Sequence, residues 1–363
     1  MVLQRVTCSP GLRRPTPLLL LLLLLVQLAA TQNAQCSYQC TPLSQCPDLA
    51  QLIKNPTREN ILYLRQRTCS KGDDPLVCCP QTTVASSSSL LPKDCGQGSQ
   101  LEMIFGGTQA PIYSHPWIAA LGYLDPRSSG MQFLCAGSVI NERYVLTAAS
   151  CVRPANTGIR KLDVIRLGDW DLITEVDCEV SLQGFKSCAP PAQNFTYEEL
   201  IIHPSYDTRG LNSDDIALIR LSRPIDFSRK WIQPVCLPPQ GLDVRKAAGQ
   251  KEALVAGWGR TENGSSSRKL LQVTLPFFDE RLCNETYRGN LIDGQLCFGG
   301  RKNEDSCSGD SGGPLVMSGP NGPPFLQIGI VSFGPVVCGR EGHPAVYTSV
   351  SHYRDWIEKT LRP

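Results

Sequence analysis

Cysteine content sets the tightest limit on how this chain folds. Of 17 cysteines in 363 residues only Cys8 precedes position 36, which leaves 16, an even number. An even count suits a protein framed by disulfides in an oxidising compartment. A zinc centre fits less well, since no Cys-x-x-Cys pair occurs and only 4 histidines stand by as further ligands. The N-terminus agrees with that compartment. Arg5, Arg13 and Arg14 precede the run PLLLLLLLLVQLAA, which ends in small residues at Ala29 and Ala30. A basic segment, a short apolar core and a small-residue cut site read as a secretory signal peptide over 1–30. The run is shorter than the roughly 20 apolar residues of a membrane anchor. The expected location is extracellular, without an anchor.

Cysteines 36 to 79 follow the pattern C-x3-C-x5-C-x22-C-x8-C-C. A segment this short buries too little apolar surface to be stable alone, so cross-links must supply the rest. Helical patterns around 49–53 and 59–65 fit between them, and spacing alone leaves fifteen connectivities open. The stretch QTTVASSSSLLPK then reads as a flexible linker within 81–103. From 104 to 363 the texture changes. Runs such as PWIAALGYL, FLCAGSVI, DIALIRL and EALVAGWG are separated by turn residues, which predicts an all-β barrel or sandwich. Near the end Val350, Tyr353, Trp356, Ile357 and Leu361 recur at helical spacing. The net charge of +2 and the lack of a long basic run argue against a nucleic-acid partner.

The strongest chemical signal is DSCSGDSGGP, residues 305–314. Glycines on both sides of Ser311 permit a tight turn that exposes its hydroxyl. The N–H groups of Gly309 and Ser311 are then able to form an oxyanion hole. This decapeptide resembles the nucleophile loop of chymotrypsin-family serine proteases. IFGG at Ile104, SDDIALIRL around Asp215, and VSFG and PAVY in the last third are similar to further segments of that family. The cysteine cluster closing on Cys78-Cys79-Pro80 resembles an arthropod clip domain. Together they identify the chain as a member of the clip-domain serine proteases, extracellular cascade components.

That resemblance implies two six-stranded antiparallel β-barrels with a C-terminal helix, after a small disulfide-rich clip domain at 36–80. It implies Ser311 as nucleophile, Asp215 as the orienting carboxylate, and Asp310 as the partner of the Ile104 amino group freed by cleavage. Asp305 matches the pocket floor that selects Arg or Lys, beneath Gly334 at the mouth and Ala345 in the wall. The implied bridges are Cys36–Cys78, Cys40–Cys69, Cys46–Cys79, Cys95–Cys236, Cys135–Cys151, Cys178–Cys188, Cys283–Cys297 and Cys307–Cys338. The carboxylates Asp169, Asp171, Glu175 and Asp177 offer hard oxygen ligands for a structural Ca²⁺, and read equally as a solvated acidic loop. No cofactor is required. Asn194, Asn263 and Asn284 begin N-x-S/T acceptors for glycans.

Two departures matter. The family's general-base histidine lies in Thr-Ala-Ala-His-Cys, and this chain reads Thr147-Ala148-Ala149-Ser150-Cys151. A serine hydroxyl does not titrate near neutrality, so Ser150 cannot take and return the proton. Losing the base costs on the order of 10⁶ in turnover and leaves roughly 10³–10⁴ over water. A substrate carrying its own histidine beside the scissile bond is one escape. The second departure is Met103, where trypsin-like activation calls for Arg or Lys. Smaller ones are Phe333 for a usual Trp and Ala345 for a usual Gly. The leading expectation is a non-catalytic homologue that binds other cascade proteins. The alternative is an active endopeptidase cleaving after Arg or Lys.

Overall fold

In the computed structural model the described residues are 40–46, 49–50, 61, 64–65, 68–70, 75–77, 90–98 and 108–363, the last apart from 128–129, 159, 181–183, 229, 249–251, 262–263 and 320–321. The chain divides into two compact units after Ser88. In the first, β1 (Thr41–Pro42) and β2 (Leu76–Val77) pair antiparallel, with Thr41 opposite Val77. A 3₁₀ turn, Leu43–Gln45, leads off β1, and 49–50, 61 and 64–65 are helical. Among its described residues Cys46, Leu49 and Val77 are buried together, with Leu43 and Leu64 against them. The Cys40–Cys69 bridge adds to its stability by limiting the unfolded chain.

The second unit holds the remaining strands. Its first half carries β3 (Thr108–Gln109), β4 (Ile118–Leu124), β5 (Met131–Val139), β6 (Tyr144–Thr147), β7 (Lys161–Leu167), β8 (Cys178–Val180), β9 (Lys186–Cys188), β10 (Gln193–Phe195), β11 (Tyr197–Ile202) and β12 (Ala217–Leu221). Its second half carries β13 (Glu252–Gly257), β14 (Leu271–Pro276), β15 (Gln295–Gly299), β16 (Pro314–Gly319), β17 (Gly322–Phe333) and β18 (Pro344–Ser349). One curled antiparallel sheet runs β10-β7-β4-β5-β6-β12-β11 and the other β15-β18-β17-β16-β13-β14-β3. The architecture is the expected pair of half-barrels. Each sheet gains one short strand beyond the expected six, β10 at one edge and β3 at the other. The hairpin β8–β9 stands apart, closed by Cys178–Cys188.

Burial explains the sequence texture. Every residue of β12 is buried, as is all of β4 except Leu124, so β4 reads as an unbroken apolar run and β12 as one interrupted only by Arg220, which bonds the Tyr144 hydroxyl. Trp117, Tyr123, Tyr144, Leu146, Leu167 and Leu218 fill the first core. The C-terminal helix, Arg354–Thr360, seats Ile357 in that same core, flanked by Val350, Tyr353 and Leu361. Ridges at helical spacing thus cover the sheet, as the periodicity predicts.

Candidate active site

Three loop ends converge. Ser150 lies in the one-turn helix Ala149–Val152 just after β6, a turn pinned to β5 by Cys135–Cys151. Asp215, fully buried, precedes β12, the neighbour of β6 in the sheet. Ser311 precedes β16. Its carbonyl accepts from the Ala136 N–H at 2.8 Å and lies 3.4 Å from Cys151 Sγ. Ser150, Asp215 and Ser311 are thereby brought to one place.

The Asp215 carboxylate is fully engaged. Its Oδ1 accepts from the Ser150 N–H at 2.8 Å, and its Oδ2 accepts from Ser150 Oγ at 3.0 Å and from Ser332 Oγ at 2.6 Å. Thr348 Oγ1 donates to its backbone carbonyl at 2.8 Å. Burial pushes the Asp215 carboxyl above its ordinary range, while the hydrogen bonds from Ser332 and Ser150 oppose the shift. The one proton of the Ser150 hydroxyl is committed to Asp215, and the oxygen that remains is far too weak a base to activate Ser311.

The nucleophile loop keeps the conformation its glycines predict. Gly309 has φ +107°, and a side chain there would lie 2.9 Å from the Gly259 backbone. Gly312 has φ +79°, with no room beside Thr147 Oγ1 and the Ala136 carbonyl. The N–H groups of Gly309 and Ser311 donate to no acceptor among the described residues, and neither does the Ser311 hydroxyl.

A cavity of about 440 Å³ adjoins this loop, and Asp305 and Asp310 both line it. Asp310 is 8% exposed and accepts from the Gly259 N–H at 2.8 Å and the Cys307 N–H at 2.9 Å. Burial raises its carboxyl, against those two bonds. Asp305 accepts from the Gly339 N–H at 3.0 Å through Oδ2, while Oδ1 is buried and has no hydrogen-bond partner among the described residues. Burial pushes the Asp305 carboxyl up to about 6, and the nearby Asp310 charge adds to the rise. A buried carboxylate with an unfilled oxygen favours a cation. Gly334 is exposed, and a methyl placed on it would sit 3.4 Å from the Ala345 Cβ. The two therefore face each other, and the buried Ala345 methyl occupies space a glycine would leave free.

The other expected residues lie elsewhere. Met103, Ile104 and Asn263 fall outside the described residues, as do Cys36, Cys78 and Cys79. Among the described residues the bridges Cys40–Cys69, Cys95–Cys236, Cys135–Cys151, Cys178–Cys188, Cys283–Cys297 and Cys307–Cys338 join the expected pairs. Asn194 is exposed on β10, and Asn284 sits half-buried in the helix Glu280–Thr286, its Oδ1 accepting from the Leu291 N–H. In the acidic loop Asp177 Oδ2 accepts from the Trp170 and Asp171 N–H groups, and Thr174 bonds its Oδ1. Asp171 pairs with Arg268, and Asp169 with Arg166. Burial, with the Asp177 charge adding to it, raises the Asp169 carboxyl to about 6, and one of its oxygens has no hydrogen-bond partner among the described residues. Among the described residues no three metal-ligating side chains converge.

The four histidines are occupied away from Ser311. His115 bonds Gln272 at 2.8 Å, and burial lowers its imidazole to about 4. His203 packs on Tyr353 and Trp356, His343 bonds the Glu341 carbonyl, and His352 stacks on Tyr353. The sequence reading passed over Ser332 and Thr348, which hold Asp215. Their signal is weak, since single hydroxyls in VSFG and VYTS carry no spacing.

A family model described as "Trypsin" matches residues 104–357, and one described as "Regulatory CLIP domain of proteinases" matches 32–79. Phenoloxidase-activating factor 1 of Holotrichia diomphalia is 39% identical over 344 residues, covering 90% of this chain and 91% of its own. Serine protease grass of Drosophila melanogaster is 36% identical over 342 residues, covering 89% and 88%. A crystal structure of the drosophila Grass clip serine protease of the Toll pathway superposes with a TM-score of 0.66 at 37% identity, over 89% of this chain and 94% of that one.

Proposed function

The chain belongs to the clip-domain family of trypsin-like serine proteases, and from that premise we propose that it is a catalytically impaired member, secreted, that acts by binding. The observation that carries this is the bonding of Ser150. Where the family's resemblance puts an imidazole between carboxylate and nucleophile, a hydroxyl donates to Asp215, and among the described residues no group accepts the Ser311 proton. The relatives are a phenoloxidase-activating factor and a Toll-pathway protease, which supports a role in an innate immune or developmental cascade. Its partners are other extracellular proteases or their protein substrates, engaged through the clip unit and the Asp305 cavity.

A second reading rests on the recognition half of the site. The unfilled Asp305 oxygen and the unbonded Gly309 and Ser311 N–H groups suit an active Arg/Lys-directed endopeptidase. A fluorophosphonate probe separates the two. Full-length protein with Met103→Arg, cut by trypsin and repurified, is labelled no faster than its Ser311→Ala counterpart under the binding reading. Labelling well above that control establishes an activated nucleophile and the endopeptidase.

A further inference from the structure

Ser150 and Ser311 are each partly exposed, so the gap between them opens to solvent. Ser150 Oγ donates to Asp215 Oδ2 and accepts no hydrogen bond among the described residues. Its outward lone pairs are therefore free to receive an N–H. Ser311 Oγ has a proton to give and no acceptor for it among the described residues. A neutral imidazole donates through one ring nitrogen and accepts through the other, which is the pairing these two hydroxyls call for.

We propose that this site takes an imidazole ring from outside the chain and with it becomes a histidine-dependent peptidase, in which Ser150 relays the ring to Asp215. The inference rests on the reading of Ser150 as a lost base. The favoured source is a substrate histidine immediately before the Arg or Lys that enters the Asp305 cavity. A histidine there stays with the acyl half of the substrate, so the ring is still present for the second step. One on the departing half would leave with it.

The steps balance without any other reactant. The Ser311 hydroxyl proton passes to the unprotonated ring nitrogen as Oγ bonds to the carbonyl carbon. The other ring N–H donates to Ser150 Oγ, whose own O–H goes on donating to Asp215 Oδ2. The ring then gives its proton to the amide nitrogen as the C–N bond breaks. Water hydrolyses the ester by the same route, and Ser311 regains its proton.

The test uses trypsin-cut, repurified Met103→Arg protein and two peptide anilides, one with His-Arg and one with Ala-Arg before the leaving group. Ser311→Ala and Ser150→His versions run beside it, and free imidazole is added to the alanine peptide in a separate arm. The expected result is cleavage of the His-Arg peptide about 10²-fold faster than the Ala-Arg peptide, absent in Ser311→Ala. Its kcat/KM rises with pH through the ordinary imidazole range near 6.5, roughly. Replacing Ser150 with Ala removes the relay and lowers the His-Arg rate about tenfold, leaving the shape of that pH profile unchanged. Acceleration of the alanine peptide by free imidazole, with no His-Arg advantage, supports the ring site with a solute as its source. Equal cleavage of both peptides above Ser311→Ala overturns the lost-base reading and this inference with it. If neither is cut and imidazole does nothing while Ser150→His cuts both, the inference alone fails. An inert Ser150→His protein overturns it too, since the rest of the machinery would then be missing.

Discussion

Asp215 and Asp305 are both carboxylates taken out of water at one site, and they end in opposite states. Asp215 accepts three hydrogen bonds, two of them from Ser150 alone. Asp305 has one carboxylate oxygen buried without a partner among the described residues, beside a cavity of about 440 Å³. A satisfied buried charge is structural, whereas an unsatisfied one awaits a ligand. The half of the site that would move protons is closed on itself, and the half that would recognise a cation is open.

The largest effect expected from breaking this contrast comes from Ser150→His. Placed on the cut Met103→Arg protein, it puts a base between Asp215 and Ser311 and raises kcat/KM for an Arg-amide by on the order of 10⁵-fold or more. Steady-state hydrolysis measures this, and a gain under tenfold would mean that the recognition half is not as open as Asp305 suggests.

Asp305→Asn acts on the open half. It weakens p-aminobenzamidine binding by about 10²-fold, read by fluorescence titration, because the cation loses its buried partner. An unchanged affinity would place the ligand away from that carboxylate.

Ser332→Ala probes the closed half. Removing one donor leaves a buried carboxylate lone pair unfilled and costs about 1–3 kcal/mol in urea unfolding. A neutral result would show that Asp215 is less tightly held than its three bonds imply.

The smallest effect is the pH dependence of Asp305. Its free-site carboxyl is raised to about 6, so amidine affinity falls roughly tenfold per pH unit below that value. The sign for stability is the reverse. Between the ordinary carboxylate range and about 6 the folded chain holds a proton that the unfolded chain has released. Folding stability therefore declines as pH rises through that window, and Asp305→Asn abolishes the decline.

Much of this was legible in the sequence, for different physical reasons. The buried runs of β4 and β12 and the helical spacing of Tyr353, Ile357 and Leu361 record which faces meet a core, and composition carries that directly. The loop around Ser311 was legible because its glycines are forced by close backbone approach at Gly259 and Ala136. The edge strands β3 and β10 were not, since strands of two and three residues have no periodicity to read. Nor were Ser332 and Thr348, whose roles depend on a partner more than a hundred residues away. The acidic loop shows the limit from another side. Its carboxylates read equally as cation ligands or as a solvated loop, and the bonds from the Trp170 and Asp171 N–H groups to Asp177 Oδ2 depend on a backbone turn that composition does not record.

The most direct test of binding without turnover is a single ratio, the hydrolysis rate of an Ala-Arg anilide per p-aminobenzamidine-titrated site, in trypsin-cut Met103→Arg protein. The account predicts that the sites titrate and that turnover per site matches Ser311→Ala. Turnover per site clearly above that control would contradict it, because a base other than Ser150 would then be serving Ser311.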